Sequence, residues 1–231
     1  LEAGGQSVVD GTRVKAAYAS DLAAKGRTSE ALHIEDAIDD PDIRLLSASK
    51  RLYALDRSDE ARTRLREYTA ASGLTDFDRA ARIEAASQVT EYYGDYPMQA
   101  EILALSGNPD DNIARGIALN RSFRADEARE AFDAYLQSPD RTPDRTLTAA
   151  KKLLDAGYAD TAANVWDGCT ACRSDREASF EAADMFNDAG RRQSAVQALS
   201  ALSDADPKNV DIQREIFQWY HQRNYLPQAL A

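Results

Sequence analysis

At 231 residues, 43% of them hydrophobic and 29% charged, the chain is long enough to bury a sizeable core, and no apolar run reaches the roughly 18–20 residues a bilayer-spanning helix needs. Its net charge is −11 and no block concentrates Lys and Arg, which argues against nucleic acid, whose phosphates would meet a repulsive field. Such an acidic surface serves solubility and suits a cationic or neutral partner.

Proline is scarce, β-branched runs are absent, and apolar residues recur at three- and four-residue spacing, so the predicted elements are helices throughout. Residues 1–11, LEAGGQSVVDG, carry no initiator Met and are expected to be disordered or vector-derived. Seven helix-turn-helix units follow. The first (12–41) is marked by Tyr18, Leu22, Gly26, Ala31 and Pro41, and the second (42–80) by Ala48, Leu52, Ala61, Leu65 and Tyr68. The third (81–108) is the most irregular, with Pro97 just before its second helix, where a first helical turn tolerates it. The fourth (109–142) keeps Gly116, Leu119, Ala128, Phe132 and Tyr135. The fifth (143–175) has Ala149, Ala150, Leu153, Gly157, Ala162, Trp166 and Cys169. The sixth (176–209) has Ala182, Ala183, Phe186, Gly190, Ala195, Leu199, Leu202 and Pro207. The seventh (210–231) shows Ile216, Tyr220, Asn224 and Ala229 and is truncated.

The second-helix alanines, Ala31, Ala61, Ala100, Ala128, Ala162, Ala195 and Ala229, lie 30, 39, 28, 34, 33 and 34 residues apart. The two irregular intervals predict a longer connection near Ser72–Phe77 and a shortened turn near Ser106–Asp110. A period near 34, with a glycine in the turn and a small residue at the helix crossing, resembles the tetratricopeptide repeat family. The resemblance implies an all-α solenoid of about six and a half repeats, a right-handed superhelix whose first helices line a concave groove. Gly157 would then end one helix in the left-handed conformation, and Ala162 would let the next approach closely.

Chemistry is sparse. Cys169-Thr-Ala-Cys172 lacks two further zinc ligands nearby, because the chain has only two Cys and His33 and His221 lie many repeats away. A redox CxxC should open a helix beside a sheet, whereas this one ends a helix. Two readings stay open: a buried thiol at Cys169 with Cys172 in the next turn, or a short disulfide formed in an oxidising compartment. No nucleophile turn, phosphate loop or acid–base pair stands out, so no catalytic residue, metal or cofactor is expected.

The groove is the informative surface. The repeat register places Tyr53, Tyr92, Tyr93, Asn120, Arg121, Lys151, Asp155, Glu177, Phe180, Asp184, Asn187, Asp188, Asp211, Arg214, Gln218 and His221 along it. Repeats that clamp the carboxylate tails of chaperones present Lys, Asn and Arg there, and this acidic set does not match them. It suits a cationic partner: a basic protein segment, or an amino-sugar polymer whose ammonium groups pair with carboxylates while tyrosines stack on sugar faces. Charge reversal at Asp184 and Asp188 is expected to weaken such binding and leave the fold intact.

Degenerate repeats, acidic composition and an anionic groove resemble the periplasmic repeat region of outer-membrane exopolysaccharide export proteins, the Pel polysaccharide exporters among them. That resemblance implies a non-catalytic scaffold for biofilm polymer export, docking a periplasmic deacetylase/hydrolase and guiding a cationic polysaccharide to an outer-membrane pore. The alternatives are a cytoplasmic adaptor holding a protein helix or peptide, and a regulatory repeat region of a larger enzyme.

Overall fold

The computed structural model describes residues 3–139 and 141–225, with side chains from residue 11 onward. Its described residues form α1 (Ala3–Ala24), α2 (Thr28–Asp36), α3 (Pro41–Ala54), α4 (Ser58–Thr69), α5 (Asp76–Tyr92), α6 (Tyr96–Leu103), α7 (Asp111–Arg121), α8 (Ala125–Leu136), α9 (Pro143–Asp155), α10 (Ala159–Asp167), α11 (Arg176–Asp188), α12 (Arg192–Ala205) and α13 (Val210–Gln222), with one 3₁₀ turn at Ala171–Ser174. No strand occurs among them, so the chain is all-α. α1 begins at Ala3, within the 1–11 segment set apart above, and Ala229 lies outside the described residues. The helices gather into two compact units, residues 1–107 with 118–124, and residues 108–117 with 125–231.

The same turn builds both units. Within each described helix pair the chain passes through one residue of positive φ, Gly26, Asp56, Gly94, Phe123, Gly157 and Gly190, and Asn224 holds the same conformation after α13. The amide of the next residue then donates back to the carbonyl five residues before it, as in Arg27 to Leu22, Arg57 to Leu52, Tyr158 to Leu153 and Arg191 to Phe186, at 2.7–2.9 Å. This is the bond that satisfies a carbonyl left over at a helix C-terminus. It requires the left-handed backbone that Gly157, at φ +88°, adopts without a Cβ penalty. Between pairs the entry is different: Asp40, Thr75, Thr142, Asp175 and Asn209 cap α3, α5, α9, α11 and α13 by accepting from amides two or three residues on.

Packing follows from residue size. Ala31, Ala61, Ala100, Ala128, Ala162 and Ala195 are at most 2% exposed, so the second helices approach their partners with only a methyl between backbones. Large side chains fill the space behind them: Leu65 in the first unit, and Trp166, Phe186, Leu199 and Leu202 in the second, are almost wholly buried.

The irregular third repeat has a structural cause. α5 is 17 residues long and follows the link 70–75, which lengthens one interval; α6 is only 8 residues, which shortens the next. The link between α6 and α7 spans residues 104–110, so the short interval reflects short helices and not the shortened turn expected at Ser106–Asp110. Pro97 sits in the first turn of α6, where its missing N–H costs nothing.

Cys169 and Cys172 are joined as a disulfide, with both residues buried. The Ser179 hydroxyl donates to the Cys172 carbonyl at 3.0 Å, tying the crosslinked turn to α11. Thus the exit of α10 and the entry of α11 are fixed together.

Candidate binding clefts

In the second unit, α9 and α11 flank a cleft of about 650 Å³. α9 contributes Leu147, Thr148, Lys151, Leu154 and Asp155, and α11 contributes Glu181, Asp184, Met185 and Asp188. Each set follows the three- and four-residue spacing of one helix face. Leu147, Leu154 and Met185 give the cleft an apolar surface, while four carboxylates face one ammonium, so its field is anionic.

The carboxylates are not equivalent. Asp184 accepts from Trp219 Nε1 at 2.7 Å and from Arg223 at 2.5 Å, which makes it a strut between α11 and α13. These contacts argue against the expectation that its charge reversal spares the fold, since a cation there would orphan the indole N–H and face a guanidinium. Asp155 and Asp188 are exposed, and Asp188 accepts only a 3.3 Å bond from the neighbouring Asn187 amide.

In the first unit, α3 and α5 shape a cleft of about 310 Å³ lined by Leu46, Lys50, Ala85, Gln88, Val89, Tyr92 and Tyr93. Tyr92 is 82% exposed and packs edge-on against Tyr93, with ring centroids 4.9 Å apart. Tyr93 stacks on Tyr53 at 5.0 Å and 15°. Tyr53, expected in the groove, is instead buried behind Tyr93, and its hydroxyl donates to Asp95 at 2.7 Å. Burial first, and then Asp95, raise the Tyr53 hydroxyl pKa above the ordinary tyrosine value, so it stays a donor.

Asp95 is the centre of this support. It accepts from Arg62 Nε at 2.7 Å and from the Met98 amide at 3.3 Å as well as from Tyr53. Burial pushes its pKa up, but Arg62, Tyr53 and the Met98 amide outweigh that and hold it below the usual carboxylate range. Tyr93 thus rests on a side chain locked from behind.

The structure therefore brings together Asp155, Asp184 and Asp188, with Lys151, in one cleft, and Tyr92 and Tyr93 in another. Asn120, Glu177, Phe180, Asn187, Asp211 and Gln218 line neither. Asn187 accepts from the Tyr225 hydroxyl at 3.0 Å, and Asp211 pairs with Arg214 at 3.3 Å. Arg121 packs over Tyr96 at 5.0 Å, and His221 stacks on Phe217. Glu181 and Met185 were missed, although they lie on the helix stripe that runs 181, 184, 185, 188; Phe180 stands one residue, about 100°, from Glu181, and Glu177 lies one turn before it on the same face.

Comparison with known proteins yields folds only. No protein-family profile and no curated protein matches the chain. Among solved structures, pilF of Pseudomonas aeruginosa aligns over 92% of this chain and 99% of its own at 12% identity and a TM-score of 0.39. YrrB, a tetratricopeptide protein with an unusual peptide-binding site, aligns over 80% and 97% at 14% identity and a TM-score of 0.34. The C-terminal part of a tetratricopeptide-containing protein from Cytophaga hutchinsonii aligns over 84% and 96% at 15% and 0.25. At those scores the likenesses carry no functional weight, and the chain's own turns and crossings define it: an all-α protein of repeated helix-turn-helix pairs.

Proposed function

We propose that this chain is a non-catalytic interaction scaffold of the tetratricopeptide type, whose second unit binds a cationic partner. The observation that carries this reading is the 650 Å³ cleft in which Asp155, Glu181, Asp184 and Asp188 outnumber Lys151. Its partner is a segment bearing positive charges and short apolar stretches, because the lining combines those carboxylates with Leu147, Leu154 and Met185. In the finer form of the proposal the partner is a deacetylated amino-sugar polymer, and the scaffold belongs to an exopolysaccharide export machine that also docks a deacetylase/hydrolase. A disulfide between Cys169 and Cys172 supports an oxidising compartment such as the periplasm. No helix among the described residues is long and apolar enough to cross a membrane.

Calorimetric titration tests the proposal. A deacetylated, positively charged glycan should bind at low salt, its acetylated form should not, and Asp155→Lys with Asp188→Lys should abolish the difference without changing the circular dichroism spectrum. Binding of a Lys-rich peptide but no glycan would favour the protein-adaptor reading over export. Failure of every cationic probe would sink the cleft as a site.

A further inference from the structure

The acidic cleft of the second unit already has a cation seated on it, supplied by this chain. Arg223 caps the C-terminus of α13, and its guanidinium donates to Asp184 and lies over the Trp219 ring, 4.5 Å from the centroid. The Trp219 indole N–H donates to the same carboxylate at 2.7 Å. Both bonds end on Oδ1, so neither holds the second oxygen. The Asp184 side chain is 47% exposed and lines the cleft, so solutes reach it. A carboxylate and an aromatic face together around a guanidinium make a complete cation-binding arrangement.

The contact belongs to a longer one. The Tyr225 hydroxyl donates to Asn187 at 3.0 Å, and the Asn187 amide donates to the Asp188 carboxylate at 3.3 Å. The end of α13 and the turn after it therefore lie against α11 beside two of the cleft's acids, Asp184 and Asp188. Arg223 adds a second cation, after Lys151, to a field of four carboxylates. Its hold is loose, because both side chains of the pair are partly open to water, where an ion pair contributes little.

We propose that Arg223 is an internal competitor for the cleft: it occupies Asp184 in the free protein, and a cationic partner displaces it from that carboxylate. The inference rests on the cationic-partner reading above and adds to it the residue that sets affinity. A ligand ammonium must take a place that a guanidinium holds, so the cleft binds less tightly than its carboxylates allow. By the same linkage, a bound partner loosens the end of α13 from α11.

Calorimetric titration of the whole chain with a deacetylated amino-sugar oligomer and with a Lys-rich peptide tests it. Arg223→Gln should tighten binding by roughly 5-fold or more, the effect of removing one like charge from a half-exposed site, even if its melting temperature falls. Arg223→Lys, which keeps the charge, should stay closer to the wild type. A residue that merely braced α13 would have the opposite sign, its loss weakening binding. In the wild type, saturating probe should change Trp219 emission as the guanidinium leaves the ring, and Trp219→Phe should lack that change; this readout holds whether or not Arg223→Gln folds. Wild-type binding accompanied by unchanged or weaker binding of Arg223→Gln, or by unaltered Trp219 emission, would overturn the competition and leave the cleft reading intact. No binding of either probe by either protein would remove both.

Discussion

Gly116 puts the packing argument to a quantitative test. It lies within α7, and a Cβ built there would fall 2.3 Å from Phe132 Cε1 and 2.7 Å from both Cδ1 and Cζ. Ordinary contacts are about 3.5–4.0 Å, so the ring must retreat by roughly 1 Å. Phe132 is 7% exposed and has Tyr158 beside it at 6.5 Å between centroids, so retreat disturbs a second aromatic. Helix propensity favours Gly116→Ala by about 0.8–1 kcal/mol, whereas overpacking a filled core costs about 1–3 kcal/mol. Taking about 2 kcal/mol, the middle of that range, for the overpacking, the expected net loss is about 1 kcal/mol, a fall in melting temperature of about 2–4 °C for a chain of this size. Urea unfolding should show a lower midpoint with unchanged slope. Phe132→Leu combined with Gly116→Ala should recover part of the loss, a coupling that distinguishes collision from a backbone effect. A Gly116→Ala protein as stable as the wild type would refute the reasoning, because propensity would then have won against a contact the core could absorb.

The other predictions probe different physics. Gly157→Ala meets nothing within 4 Å but sits at φ +88°, so it should cost about 1 kcal/mol through backbone strain alone, and no core substitution should rescue it in urea titrations. Asp95→Asn weakens the charge-assisted bonds from Arg62 and should cost about 2–3 kcal/mol at neutral pH. Because the folded pKa of Asp95 is depressed, its contribution is complete above the unfolded value of about 3.9 and is lost as pH falls through the lower folded value; acid titration of Asp95→Asn should lack that component. The Cys169–Cys172 bond closes so small a loop that chain entropy predicts a loss of only about 2 kcal/mol on its reduction, checked by melting with and without reductant. Asp184→Lys should destabilise the protein and alter Trp219 fluorescence, whereas Asp188→Lys should do neither.

Several parts of this architecture are legible without coordinates. The three- and four-residue apolar spacing determines the all-α class, because only a helix brings such positions onto one face. Gly157, Gly190 and Asn224 announce turns through their tolerance of positive φ, and Ala162 and Ala195 announce crossings through their size. The misread turn after α6 shows the limit of spacing: an interval records the sum of helix and link lengths and cannot apportion it.

The residues that line the clefts are legible only in part, for a related reason. Asp155, Asp184 and Asp188 were reachable from the repeat register, but an error of one residue rotates a helix by about 100°, enough to exchange Glu181 for Phe180. What the sequence by itself determined is local: helix content, turn positions, small crossings and an acidic balance, each a property of neighbouring residues. What only the tertiary structure decided is which side chains are spent. Asp184 is engaged by Trp219 and Arg223, Tyr53 by Asp95, and Cys169 by Cys172, while Asp188, Tyr92 and Phe123 remain turned to solvent. Availability depends on partners 35 to 42 residues away in three of those pairings, beyond the reach of any local pattern.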